Sequence, residues 1–140
     1  MKVNIYVVLG ALLILLILTN RSPYATTDTI QVPFIENNIR TIRDLPVYLT
    51  NLSGKEYLQV RNVKITTPVT NIRSIKDTLS GCAKICNSTT ECKGFTRINT
   101  DGPNKPSTCT LVQNFIPTGQ MPVFTSATNM NIFLKTGGST

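Results

Sequence analysis

The stretch Ser80–Val112, SGCAKICNSTTECKGFTRINTDGPNKPSTCTLV, holds all four cysteines of the 140-residue chain, spaced Cys82-x3-Cys86-x5-Cys92-x16-Cys109. Cys82 and Cys86 stand four apart, so on a helix both sulfurs lie on one face, one turn above the other. Ile75 and Leu79 extend that stripe backwards at helical steps, which predicts one amphipathic helix ending near Asn87. Ser74 with Asp77 three residues on gives it a start resembling a capping box. Lys93–Asn99 then alternates as a strand does, and Cys109–Val112 gives another. A helix bearing two sulfurs is therefore expected to face two strands that each begin near one.

This order resembles the PAN/apple family of disulfide-stapled modules. There a helix with C-x3-C precedes a C-x-G-F strand and a later C-x-L strand, matched here by Cys92-Lys-Gly-Phe95 and Cys109-Thr-Leu111. The resemblance spans roughly residues 55–138, with an opening strand at Tyr57–Thr67 and a closing one at Asn131–Lys135. The extra cysteine pair of the full apple form is missing, so only the shorter PAN core is matched. It implies an α+β fold, one helix packed on an antiparallel sheet, with bonds Cys82–Cys109 and Cys86–Cys92. The residues alone leave a four-thiolate zinc site and free thiols open, although the x5 and x16 gaps suit paired zinc ligands poorly. As bridges, the two pairs would stabilise so small a module by about 3.5 and about 2.4 kcal/mol through loop closure.

Working outward, the N-terminus carries an uncharged apolar run. Residues 3–19 would make about 25 Å of helix, near the lower limit for spanning a bilayer core. No small-x-small site follows, and Pro23 stands just before Ala25, so an uncleaved anchor over residues 1–20 is favoured above a signal peptide. Disulfides place the C-terminal part on the non-cytosolic side of a single-pass protein, or facing a virion shell. Residues 21–54 are polar and Pro-containing and read as an extended arm or a plain linker. Within them Thr29–Ile35 looks extended, with Pro33 barring it from a sheet centre, and Ile39–Leu45 looks like a short helical turn closed by Pro46. Residues 55–140 form the module, with alternation along Tyr57–Thr66 that puts Leu58, Val60 and Ile65 on buried faces and breaks near Asn62.

The chemistry is sparse. The chain has no His and only seven carboxylates against 14 basic residues, and no nucleophile–base pair or phosphate loop is legible, so no enzyme, cofactor or metal is expected. The net charge of +7 is spread singly rather than interleaved with aromatics, which argues against nucleic acid and for a solvated basic surface. Sequons occur at Asn20, Asn51 and Asn87; the last two are glycan candidates if the module enters a secretory lumen, and equally ordinary turn and helix-ending residues. The expectation is a membrane-anchored structural protein, with a bilayer and neighbouring proteins of an assembly as its partners. Small proteins of this layout serve as minor capsid components in large viruses with an internal membrane. The alternative is a cell-surface or secreted PAN-type module that binds protein or carbohydrate.

Overall fold

The structure is a computed structural model that describes residues 28–99, 101–117 and 119–136. Asn37 and Asn38, both at positive φ (51° and 62°), fill the two-residue connection between Glu36 and Ile39. Left-handed asparagines are the residues a type I′ turn requires, so the chain folds straight back on itself. The hairpin joins β1 (Asp28–Glu36) to β2 (Ile39–Leu52), and β2 turns through Ser53-Gly54 into β3 (Lys55–Ile65). After β4 (Thr70–Asp77) comes the helix α1 (Leu79–Ser88), then β5 (Gly94–Ile98), β6 (Ser107–Asn114) and β7 (Phe124–Lys135).

The described strands form one seven-stranded sheet in the order β1-β2-β3-β7-β5-β6-β4, with neighbours antiparallel. β7 lies at its centre and changes neighbour along its length. Its C-terminal half runs between β3 and β5, while at Phe124 it meets Phe34 of β1 in a single parallel bridge. The switch falls where β7 loops out between Ser126 and Asn131 against the single residue Asn62 of β3. Asn62 and Asn129 both take positive φ there (56° and 62°). Such a bulge bends the strand and strengthens its twist, which lets β1–β2 curl over one face of β3–β7.

Each face of β3–β7 therefore has its own core. Under the curl lie Val32, Phe34, Leu45, Val47, Val60, Val63, Val112, Phe115, Phe124 and Ile132. On the opposite face α1 covers Tyr57, Phe95, Leu111 and Phe133. Strand alternation makes the division, since Leu111 and Val112, like Ile132 and Phe133, point to opposite sides.

Several expectations are corrected. The fold is not an α+β layer of one helix on a sheet behind a transmembrane helix. It is mostly antiparallel sheet, with one ten-residue helix among the described residues. No helix of the described residues is long and apolar enough to cross a membrane, so the single-pass placement is not carried by the described fold; the run at residues 3–19 lies outside the described residues. Residues 28–52, expected as arm, are β1 and β2 of the sheet. Ile39–Leu45 is strand rather than helical turn, because cross-strand pairing with β1 overrides a weak local preference. Ser74 does not start the helix: β4 runs to Asp77, and the cap is Thr78, whose hydroxyl accepts from the Gly81 N–H at 3.1 Å. Ile75 accordingly reaches the helix-side core from a strand.

Candidate functional site

The cysteine frame is the first candidate, and its geometry is structural. Cys82 bonds Cys109 and Cys86 bonds Cys92, the pairing the resemblance implies, and this removes the zinc and free-thiol readings. All four sulfurs are buried at 0–1% exposure. The residues between them follow suit. Gly94 sits at φ 156°, and a Cβ there would run into the Phe133 carbonyl oxygen of β7, so the close approach of β5 to the central strand needs glycine. Phe95 then stacks on Phe133 with ring centroids 4.8 Å apart and meets Tyr57 edge-on at 5.6 Å. The C-x-G-F signature thus reads as one bridge, one close backbone approach and one core ring.

The sequon residues are placed differently. Asn87 is built into the fold: its Oδ1 accepts from the Tyr57 hydroxyl at 2.6 Å, and its Nδ2 donates to the carbonyls of Leu52 and Ser53 at 3.2 Å each. These bonds pin the β2–β3 turn to the end of α1, and the nitrogen a glycan would take is already engaged. Burial beside that bond pushes the Tyr57 phenol up to about 12. Asn51 is exposed and only accepts from the Gly54 N–H at 3.2 Å. Asn20 lies outside the described residues.

Two surface features remain. One is the outer half of the β1–β2 hairpin. β2 pairs with β3 only from Val47 to Leu52, so along Ile39–Pro46 one edge has no strand neighbour among the described residues. Ile39 and Ile42 on this stretch are 64% and 68% exposed. Arg43 braces the hairpin by lying over the Phe34 ring, 4.1 Å from its centroid, and pairing with Glu36 at 2.7 Å. The end strand β4 is a different kind of edge. It is broken by two register shifts and carries Arg73 and Lys76, features that discourage further pairing.

The other is a polar cleft of about 360 Å³ on the helix side, lined by Gln59, Arg61, Asn62, Leu79, Asn99, Pro103, Asn131 and Phe133. Behind it Arg97 is 1% exposed and holds the following loop together, donating from Nη1 to Asn99 Oδ1 (2.8 Å) and from Nη2 to the carbonyls of Gly102 (3.3 Å) and Lys105 (2.7 Å). Burial pushes its pKa down.

Searches against protein-family models, curated proteins and solved structures give no match to this chain. The PAN/apple resemblance thus rests on the cysteine frame and its strands.

The features sequence reasoning missed are Arg97 with its asparagines and the hairpin edge. Arg97 was legible in part, since alternation along β5 puts it on the same face as Phe95 of the C-x-G-F signature. The edge was not, because no local signal says where β3 stops pairing. Among the described residues no three His, Cys, Asp or Glu side chains come together as a metal site would need.

Proposed function

We propose that this chain is a non-enzymatic structural and interaction protein, a component of a larger protein assembly, which docks by adding the outer half of its β1–β2 hairpin to a strand of a partner protein. The observation that carries this reading is the pair of isoleucines, Ile39 and Ile42, displayed at 64% and 68% exposure on a strand edge that has no neighbour among the described residues. Unpaired amides along such an edge supply main-chain hydrogen bonds to an incoming strand, and flanking apolar side chains supply the contact area. A protein that works alone blunts its edges as β4 is blunted. The assembly this reading names first is a virion shell, with the chain as a minor component beside larger capsid proteins.

The test is incorporation. Full-length protein carrying Ile39→Asp and Ile42→Asp is expected to fold with a nearly unchanged melting temperature and to be lost from purified particles, while Arg73→Asp on the β4 edge is retained. Incorporation of the hairpin variant at wild-type stoichiometry would sink the proposal.

A further inference from the structure

The polar cleft beside α1 has an unusual hydrogen-bonding inventory. Asn99 Oδ1 accepts from Arg97, which has only donors, and this fixes the Asn99 carboxamide with its Nδ2 unspent among the described residues. Asn131, opposite Arg97 in the β5–β7 register and 6% exposed, accepts the Asn62 N–H on Oδ1 at 3.2 Å, which likewise leaves Nδ2 as the unspent end. The guanidinium of Arg61, also on the lining, is held 4.0 Å from the centroid of the Tyr48 ring and brings further donors. Arg97 Nε is buried without a partner among the described residues. Every one of these free valences is a donor.

The charge has the same bias. All three of Arg97's hydrogen bonds go to neutral oxygens, and among the described residues no carboxylate lies within ion-pair distance of Arg97 or Arg61. A guanidinium taken out of water without a counter-charge is costly. Tying down residues 101–106 explains its carbonyl contacts, but neutral contacts supply no negative charge. From the unspent amide donors of Asn99 and Asn131, the guanidinium of Arg61 and the uncompensated charge of Arg97 behind them, we infer that this cleft is a binding site for a small oxyanion-bearing ligand, one presenting a carboxylate or a sulfate. The site lies apart from the hairpin edge and stands or falls independently of it.

The chemistry orders the contacts. The oxyanion takes the charge-assisted bonds from Arg61 and the two carboxamide N–H groups, while the edge of Phe133 and Leu79 form the apolar side. A volume of about 360 Å³ is at the small end of ligand pockets, suited to one ring or a short diacid rather than a polymer.

The experiment is a titration of the full chain with glucuronate, with inorganic sulfate, and with glucose as the uncharged counterpart of the first, read by the side-chain amide resonances of Asn99 and Asn131 and by calorimetry. Saturable shifts of both amides are expected with glucuronate or sulfate and none with glucose, the more responsive anion telling carboxylate from sulfate. Arg61→Gln is expected to weaken binding about tenfold or more at an unchanged melting temperature, and Arg73→Gln on β4 to leave it as it was. Asn131→Asp, which places a carboxylate where the anion would sit, should abolish it. Shifts that glucose also produces, or that persist undiminished in Arg61→Gln (an adventitious ion only), or no saturable shift with either anion, would overturn the inference.

Discussion

On the helix side of the β3–β7 pair, Tyr57, Phe95 and Phe133 are enclosed by a helix that two sulfur–sulfur bonds tie to β6 and to the residues just ahead of β5. On the other side, Val60 and Ile132 are enclosed by a hairpin that no covalent link ties down. The ten-residue helix is too short to be stable by itself, so cross-links stand in for packing area there. The hairpin needs no clamp because Val32, Phe34, Leu45 and Val47 give it a continuous apolar face. On its β2 strand, Ile39–Asp44 are all exposed, and their outer edge has no strand partner among the described residues. The contrast teaches a division of labour in which the stapled side fixes the shape and the unstapled side offers the surface.

The sharpest way to break this contrast is to remove the residue that anchors the hairpin. Phe34 is 1% exposed and carries both the bridge to Phe124 of β7 and the Arg43 guanidinium. Phe34→Ala is expected to cost about 3–5 kcal/mol. Hydrogen exchange should rise along β1 and β2 first, while the amides of α1 stay protected until global unfolding. Equal loss of protection on both sides would mean that the two cores are one cooperative unit.

Cutting the staples should do the converse. Replacing Cys82 and Cys109 together by Ala is expected to destabilise by about 3.5 kcal/mol, and Cys86 with Cys92 by about 2.4 kcal/mol, because the first bridge closes the longer loop. Chemical denaturation of the two double variants checks the order. If the shorter bridge proves the more valuable, native packing of Cys92 beside Gly94 outweighs loop entropy.

How much of this was legible follows the same line. The stapled side could be read because its signals are local: a four-residue cysteine step, a glycine two residues after a cysteine, and strand alternation on either side. Even its error was local, since Ile75 fits the helical stripe and only the pairing of β4 with β6 shows it to be strand. The hairpin side was poorly read. Asn37-Asn38 is a turn signal, but Arg40, Arg43 and Asp44 obscure the alternation that follows, because Ile39–Asp44 of β2 have no buried face to enforce it. The cleft was illegible for another reason: it joins Arg61 of β3, Asn99 after β5 and Asn131 of β7, which meet only through the sheet order.

A smaller effect concerns a bond within the stapled side, Tyr57 to Asn87, whose carboxamide also holds the β2–β3 turn. The phenol holds its proton more tightly in the folded protein, with a pKa near 12 against the ordinary 10.0. Its contribution to stability is therefore whole below about pH 10 and is lost as the pH rises through about 12. Ultraviolet titration should show a phenol ionising near pH 12, and Tyr57→Phe should remove that step. The variant leaves Asn87 Oδ1 without its donor and should cost about 1 kcal/mol at neutral pH.

The smallest expected change in stability is at Ile42, and for that reason it sharpens the comparison most. Ile42 is 68% exposed, beyond the last buried residue of β2. Ile42→Asp should shift stability by no more than about 0.5 kcal/mol, as surface substitutions do. If the isoleucine served the fold, denaturation would register its loss as it registers Phe34→Ala. If it serves a partner strand, the denaturation midpoint stays put and only assembly fails, since a charge at the centre of an added strand must be desolvated when the partner arrives. The unstapled side would then contain two functions within one hairpin: Phe34 holds it to the molecule, and Ile42 holds the molecule to something else.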